Sequence, residues 1–504
     1  MTESGAWRCD NCGYVHRGPT PPDSCPVCGA PAAEFHAFTE SAATPQAETR
    51  QWRCLNCNFV HAGARPPELC PVCQVRAEQF EPIAAVSMPG AGTGGPFKAV
   101  VVGAGIAGVS AAEAIRNASP QAEVTLIANE APPPYYRLNL TRYLAGEIQT
   151  EALPIHPVEW YAEHRIQLLA GAHSPALELA NRRVVVEGHV DLPFDRLVLA
   201  MGAHPFTPPI QGADAEGVIT LRTTQDADRI LASALRGDPV CIIGGGVLGL
   251  ETAGALARRG ADVTVLEGHE WLMPRQLDRT AGELLERHVA GMGIRVVNSA
   301  KSREIAGSVH AEKVVLDDGR VIAALLVILA AGVRPNTHLA RRAGLDVNQG
   351  IVVNNHLMTS AAGVFAAGDV AEHNGVLYGT WAASQYQGAI AGMNAAGIAT
   401  VYGGQPRSNT LKVLGLDLMS IGTFEPADGS FVVVDEQTDD HYLHFVFQDG
   451  VLVGAILFGD ASRGAAVKTA IEARLDFSGL LLGSPSALEV LDHAEQALAG
   501  ARDS

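Results

Sequence analysis

Lys98-Ala-Val-Val-Val-Gly103-Ala-Gly105-Ile-Ala-Gly108 is the stretch that decides the fold of this chain. The valine run reads as a short buried strand, and the glycines at Gly-x-Gly-x-x-Gly spacing open a helix predicted to reach about Asn117. The first glycine of such a motif makes a tight turn, the second lets backbone approach a pyrophosphate, and the third packs helix against strand. The phosphates then face the free N–H groups of the helix N-terminus. A second strand, Glu123 to Ile127, completes the unit. The acid that usually holds a ribose at the end of this strand is replaced by Ala128, and Glu130, two residues on, is the candidate in its place.

One such turn can merely close a strand–helix junction, but a second unit follows. Pro239 to Ile243 reads as a strand, Gly244-Gly-Gly246-Val-Leu-Gly249 opens a helix, and the strand Asp262 to Leu266 ends at Glu267. An acid there accepts from an adenosine 2′-hydroxyl and repels a 2′-phosphate; Gly268-His269 follow it rather than an arginine. NADH is therefore favoured over NADPH. Two units in one chain predict a doubly wound α/β body with two dinucleotide sites.

Upstream, eight of the nine cysteines form Cys-x-x-Cys pairs: Cys9/Cys12 with Cys25/Cys28, and Cys54/Cys57 with Cys70/Cys73. Each set has twelve residues between its pairs, and two such turns can wrap one metal ion in four thiolates. The sets are a repeat: Trp7 to Phe35 aligns without gaps on Trp52 to Phe80, 45 residues later. Modules this small bury too little apolar surface to fold unaided, so a metal must supply much of their folding free energy. Trp7, Tyr14 and Phe35, and Trp52, Phe59 and Phe80, are their expected aromatic cores. Spacing alone leaves zinc and iron both open. The linkers His36 to Gln51 and Glu81 to Phe97 are polar or rich in Gly, Pro and Ala, and tethers of this kind reach about 20 Å.

Lys plus Arg total 36 against 54 for Asp plus Glu, a net charge of −18 that argues against nucleic acid and anionic membrane surfaces as partners. The N-terminus lacks a charged-then-apolar signal segment, and thiolate metal sites suit a reducing cytoplasm. The longest apolar run, Val321 to Val333, is too short for a bilayer and reads as a buried strand. Cys241 falls inside a predicted strand and reads as an inert core residue; His156, His164, His173 and His204 read as loop or surface residues.

Cys9-Asp-Asn-Cys12-Gly-Tyr and Cys25-Pro-Val-Cys28-Gly resemble rubredoxin, and the short loop with Tyr-Val-His and Pro-Pro resembles the truncated rubredoxin module of rubrerythrins. That resemblance implies one iron in each four-thiolate site. The first copy keeps Gly13 and Gly29 after its pairs, whereas the second has Asn58 and Gln74, a departure that bears on its metal and its potential. From Lys98 to about Gly397 the chain resembles the two-dinucleotide flavoproteins: Leu197 to Pro205, Ala330 to Asn336 and Gly363-Val-Phe-Ala-Ala-Gly368-Asp369 stand in that family's order. The resemblance implies FAD, with Asp369 on its ribityl chain. Pro134-Tyr-Tyr-Arg137-Leu-Asn-Leu-Thr141-Arg142 resembles the segment beside the flavin in ferredoxin and rubredoxin reductases, which places Arg137 and Arg142 over phosphate or flavin. Trp381 in Tyr378-Gly-Thr-Trp381 is expected at the flavin's pyrimidine edge or in the core.

Ser408 to Gly422 and Phe445 to Asp460 resemble the C-terminal domain of NADH-rubredoxin reductases and of assimilatory nitrite reductases; Asp449-Gly450 is a hairpin turn signal. Disulfide reductases of this architecture carry redox cysteines beside the flavin, but Asn139 to Ala145 contains none. Hydride transfer asks for positioning rather than an acid–base dyad, so no catalytic residue beyond those named is expected.

The organisation expected is therefore multidomain. Rubredoxin-like modules occupy 5–38 and 50–83 and a linker 84–96; an α/β FAD domain split as 97–212 and 325–400 encloses an NAD domain at 213–324; an α+β domain occupies 405–504. The expected activity is an NADH-dependent FAD reductase whose electrons leave through two tethered iron centres. The acceptor beyond them is a rubrerythrin-, flavo-diiron- or superoxide-reductase-like protein, a free rubredoxin or O2, and a homodimer is compatible with the sequence. The alternative is a flavin oxidase or reductase whose N-terminal modules are zinc ribbons that brace the protein or recruit a partner.

Overall fold

The structure, a computed structural model, describes residues 95–502 apart from 175, 235, 405–407 and 427. Of the first 94 it describes 6–9, 15–17, 20–21, 31–38, 50–54, 60–63, 65–68, 76–77 and 80–83. Contacts divide the chain into two units, Met1–Arg50 with Ala62–Arg65, and Gln51–His61 with Pro66–Ser504.

In the first unit Ala6–Cys9 pairs antiparallel with Val15–Arg17 and with Phe35–Phe38, in the register Trp7↔Ala37 and Cys9↔Phe35. Strand Arg50–Cys54, which from Gln51 on belongs to the second unit, pairs with Phe80–Ile83 in the register Trp52↔Pro82 and Cys54↔Phe80. The two copies share one register, as a gapless repeat requires, and each sets its first cysteine opposite the closing phenylalanine. Cys12, Cys25, Cys28, Cys57, Cys70 and Cys73, the side chains of Cys9 and Cys54, and Tyr14 and Phe59 lie outside the described residues.

The body of the second unit begins with a five-stranded parallel sheet in the order Val364–Ala366, Arg196–Leu199, Lys98–Val102, Glu123–Ala128, Ile166–Ala170. A second parallel sheet has the order Val218–Thr220, Leu326–Leu329, Pro239–Ile243, Asp262–Leu266, Arg295–Val297. Chain leaves the first sheet for the second through Ala203–Pro205 and returns through Val333–Pro335, and these two strands pair antiparallel. The core strands are near-continuous Val, Ile and Leu because helices cover both faces.

Helix Ile106–Ala118 runs beside helix Trp381–Ala395 in the same direction. A Cβ on Gly388 would stand 2.2 Å from the Ala107 carbonyl oxygen, and one on Gly392 2.4 Å from that of Ala111. Only a glycine stripe lets two helix backbones approach so closely. The shared direction turns both N-termini toward the same end of the sheet.

The apolar run Val321 to Val333 is not one buried strand. It is divided among three sheets: Val321–Ala323 edges an antiparallel meander with Ser302–Ala306 and Lys313–Leu316, Leu326–Leu329 is the buried centre of the parallel sheet, and Val333–Pro335 joins the connecting ribbon. Val321 is 57% exposed, because an edge strand has no cover on its outer side. Hydropathy recorded the composition of the run but not its turns.

The C-terminal region is a five-stranded antiparallel sheet in the order Ser408–Val413, Leu416–Gly422, Val451–Phe458, Tyr442–Gln448, Phe431–Gln437, with helices Gly464–Glu472 and Ala487–Arg502 packed on it. Asp449 (φ 50°) and Gly450 (φ 76°) make its central hairpin turn, both in the left-handed region that a two-residue primed turn demands. Leu414 seats this domain on the nucleotide-binding body: its side chain fills the notch at Gly254 of helix Val247–Arg258, and its carbonyl faces His288 Nε2 at 3.2 Å. Among the described residues no helix is long and apolar enough to cross a membrane.

Candidate functional site

Two cradles are built on the same pattern. In the first, Gly103 (φ 103°) could carry no side chain, since a Cβ would meet the Ala200 carbonyl oxygen at 2.3 Å; a Cβ on Gly108 would meet the Gly103 carbonyl oxygen at 1.8 Å. In the second, a Cβ on Gly244 (φ 122°) would stand 2.4 Å from the Ala330 oxygen and one on Gly249 2.0 Å from the Gly244 oxygen. Space remains open at Gly105 and Gly246, each the residue preceding its helix, where a phosphate would approach the N–H groups.

Around the first cradle a continuous polar chain assembles. Tyr135 OH donates to Glu130 at 2.6 Å, and Arg137 ion-pairs with Glu130 at 2.6 Å and donates to Tyr135 at 2.8 Å. Arg137 also donates to the carbonyl of Arg222, whose guanidinium lies 3.5 Å from Asp369, which in turn accepts from Ser384 Oγ at 3.3 Å. Burial opposes the charge of Arg137, but Tyr135 and Glu130 hold it as a firm cation. Burial and the neighbouring Arg137 push Arg222 the other way, below the ordinary arginine range, despite Asp369. Arg222 is thus a half-buried cation with too little compensating charge, the environment an anionic pyrophosphate relieves.

Helix Trp381–Ala395 enters this region capped by the Thr380 hydroxyl. Trp381 stacks on Tyr136, with centroids 5.2 Å apart, and among the described residues its buried indole N–H has no partner; the buried Asn139 Oδ1 likewise has none. Gln387 accepts from the Gly368 N–H at 2.8 Å and so fixes the loop that presents Asp369. A cradle only glycine can form, an under-compensated arginine and unpartnered buried polar atoms fit a large dinucleotide such as FAD.

Of the expected residues, the structure brings Gly103, Gly105, Gly108, Glu130, Arg137, Gly368, Asp369 and Trp381 to this one region. Arg142 is not brought into the network. It pairs with Glu147 at 3.2 Å, and Glu147 also holds Arg258 at 2.5 Å. Its neighbour Thr141 turns inward instead, where its hydroxyl donates to Glu251 at 2.8 Å. Arg222 and Glu251 were missed by sequence reasoning. For Glu251 a signal existed, since it stands two residues past Gly249 on the helix the second glycine motif opens.

Burial pushes the Glu251 carboxyl up to about 7, against a smaller opposing pull from the Thr141 hydrogen bond. A carboxyl raised above its unfolded value holds its proton longer in the native state, so its contribution favours folding at low pH and is lost as pH rises to about 7. Melting temperature is expected to fall by a few degrees over that interval in the native protein, and Glu251→Gln to remove that part of the decline. Differential scanning calorimetry of both proteins across pH checks this; parallel curves would contradict it.

In the second cradle Glu267 is buried, its two carboxylate oxygens accepting from the Gly245 and His269 N–H groups at 2.9 Å each. Just beyond it opens a cleft of about 670 Å³ lined by His269, Trp271, Arg279, Ser299 and Lys301. Cys241 is fully buried, with its thiol pushed up to about 12 by burial, and is inert as expected. His156 is more engaged than a free surface residue: it meets Glu113 at 2.5 Å and stacks on Trp160.

Residues 97–388 match the pyridine nucleotide-disulphide oxidoreductase family, more than half of the chain. The chain belongs to this family. Residues 408–475 match the rubredoxin NAD+ reductase C-terminal domain, and 7–36 and 52–81 each match the rubredoxin-like domain of rubrerythrin. This oxidoreductase is 36% identical to nitrite reductase [NAD(P)H] of Bacillus subtilis over 75% of its own length, but spans about half (48%) of that relative. It is 29% identical to NADH-rubredoxin oxidoreductase of Clostridium acetobutylicum over 76% of this chain and 96% of that protein. Among solved structures, the covalent putidaredoxin reductase–putidaredoxin complex aligns with a TM-score of 0.72 and 26% identity, over 79% of this chain and 99% of that one. Despite the disulphide in the family's name, Cys241 is the one cysteine within the matched residues 97–388.

Proposed function

We propose that the chain is an NADH-dependent FAD reductase that delivers electrons to rubredoxin-type iron centres tethered at its own N-terminus, and from them to an external acceptor. The observation that carries the reading is the pairing of two complete dinucleotide cradles with no thiol pair within residues 97–388, in a chain whose other eight cysteines fall in the segments that match rubredoxin-like modules. When bound, the flavin supplies hydride chemistry toward NADH and one-electron chemistry toward iron.

The chain's own residues position and shield. Gly103, Gly105 and Gly108 admit the FAD pyrophosphate, Arg137 and Arg222 neutralise it, and Asp369 orients the ribityl chain. Trp381 and the N-terminus of its helix border the ring. Gly244, Gly246 and Gly249 do the corresponding work for NADH, and Glu267 takes its adenosine hydroxyl. Cys9, Cys12, Cys25 and Cys28 hold one metal, and Cys54, Cys57, Cys70 and Cys73 the other. The relatives' names support rubredoxin-type acceptors, and the net charge of −18 suits soluble partners better than nucleic acid.

Anaerobic titration with NADH, with flavin and iron absorbance followed together, tests the reading. Bleaching of both chromophores supports it. A yellow protein with stoichiometric zinc and no second chromophore, after in-vitro iron reconstitution has been attempted, would overturn the iron half in favour of zinc ribbons.

Glu267 sets the nucleotide preference. Its carboxylate is already anchored by two backbone N–H groups, so Glu267→Ala removes both a hydroxyl acceptor and a brace of the glycine turn. KM for NADH is expected to rise about tenfold or more while the preference over NADPH shrinks by a similar factor, as loss of one charge-assisted hydrogen bond implies. Steady-state kinetics with both nucleotides checks it.

A further inference from the structure

The C-terminal sheet carries a buried polar cluster where apolar packing is the rule. His444 lies in strand Tyr442–Gln448 with its side chain 6% exposed. Its Nε2 is 2.7 Å from the carbonyl oxygen of Phe424, and its Nδ1 is 2.5 Å from Asp435 on the neighbouring strand Phe431–Gln437. A carbonyl and a carboxylate can only accept, so both ring nitrogens must donate, and the ring is an imidazolium.

The cluster reaches out of its own domain. Tyr442 OH, 3.1 Å from His444 Nδ1, donates to Asp278 Oδ2 at 2.7 Å. Asp278 belongs to the nucleotide-binding body: its other oxygen accepts from the Ala281 N–H at 2.9 Å and caps helix Arg279–Gly291. Asp278 also lies 4.0 Å from His444 itself. The next residue, Arg279, lies over the Trp271 ring and lines the cleft beside Glu267. One cap residue therefore joins the C-terminal domain to the wall of that cleft.

We propose that His444, as a buried cation, latches the C-terminal domain onto the capped helix that walls the cleft, and that affinity for the dinucleotide depends on its proton. The inference rests on the reading that this cleft receives the adenosine end of NADH. The groups facing His444 are Asp435 from the adjacent strand, Asp278 from the capped helix and Tyr442 from its own strand. With the proton in place, one cation stands between two carboxylates. Without it, the neutral ring keeps its Nδ1 hydrogen for Asp435 and turns a lone pair at Nε2 against the Phe424 carbonyl oxygen at 2.7 Å, and the cation's attraction for Asp278 at 4.0 Å is lost. Burial works against the charge, but the Asp435 and Phe424 acceptors and the two carboxylates outweigh it and hold the proton above the ordinary histidine range. A raised histidine stabilises at low pH and loses that contribution as pH climbs through the raised value, so the latch opens on the alkaline side.

The test uses the full-length protein. Nitrogen-15 NMR of the histidine rings near neutral pH is expected to show both nitrogens of His444 protonated. Tyr442→Phe, which keeps the ring and cuts the link to Asp278, and His444→Gln are each expected to speed hydrogen exchange at Ala281 and the first turn of its helix about tenfold. Both are expected to raise the NADH dissociation constant several-fold, and alkaline pH to do the same in the native protein but not in His444→Gln. A neutral ring, or exchange unchanged in Tyr442→Phe, overturns the latch. Faster exchange with unchanged NADH affinity overturns the coupling to the cleft. If Glu267→Ala also leaves NADH affinity unchanged, the failure belongs to the reading of the cleft rather than to the latch.

Discussion

Gly108→Ala is expected to yield a protein without the flavin absorbance. The added Cβ would stand 1.8 Å from the Gly103 carbonyl oxygen and 3.4 Å from Val101, so the helix must lift off its strand by an ångström or more. Strain of this kind costs on the order of 1–3 kcal/mol in a packed core. The same displacement widens the turn that brings backbone N–H groups to the FAD pyrophosphate, so the loss falls first on cofactor affinity. We expect flavin content below about a tenth of that of the native protein, with a folded C-terminal domain. Absorbance of the purified protein measures it directly. Gly291→Ala is the matched control, because a Cβ there meets nothing within 4 Å and that helix should tolerate it. A yellow Gly108→Ala protein would mean that the first glycine motif does not hold the flavin.

The second large effect concerns the way out for electrons. Replacing Cys9 and Cys12 by serine, or Cys54 and Cys57, removes two of four thiolates from one module and is expected to cost that module its metal and its fold. The flavin should still bleach with NADH, because neither cradle has been touched. Reduction of a one-electron acceptor such as cytochrome c is expected to fall at least about tenfold in the variant that loses the exit module, and further when both pairs are replaced. Metal analysis should show one equivalent lost per pair. Unchanged acceptor reduction in all three variants would make the modules structural. A deficit confined to one variant would identify which module is the exit, and the second copy, with Asn58 and Gln74 after its pairs, is the weaker candidate.

Much of the site was legible in the sequence because its demands are local. Gly103, Gly108, Gly244 and Gly249 are fixed by contacts with backbone oxygens that no side chain could share, and such constraints leave a short spaced motif. The repeat was legible for the same reason, since Cys9↔Phe35 and Cys54↔Phe80 share a register set by equal spacing. Arg222 was not legible. Its partner Asp369 lies 147 residues away, and nothing in the residues around Arg222 announces that pairing. Tyr442 and Asp278 are separated by 164 residues, and the pair exists only once two domains meet. For Arg142 the resemblance does not show the local competition in which Glu147, five residues on, pairs with its side chain while Thr141 faces inward. The run from Val321 to Val333 was misread because hydropathy does not show where one apolar string is shared among three sheets.

The ribbon formed by Ala203–Pro205 and Val333–Pro335 has a mechanical consequence. Three residue pairs, bounded by Pro205 and Pro335 and flanked by the Phe206 N–H on the Gly332 carbonyl at 2.8 Å and the Asn336 N–H on that of Gly202 at 2.9 Å, join the outgoing and returning chains at the crossing between the two parallel sheets. Asn336 ties the ribbon at its base, donating to the Met201 carbonyl at 2.7 Å and meeting His204 at 2.7 Å. Two antiparallel strands resist bending in their own plane but yield readily to twist. Any twist of the nicotinamide half against the flavin half must therefore also break Thr141–Glu251, Glu147–Arg258 and Arg222–Asp369, so the ribbon and these polar ties brace the two halves together.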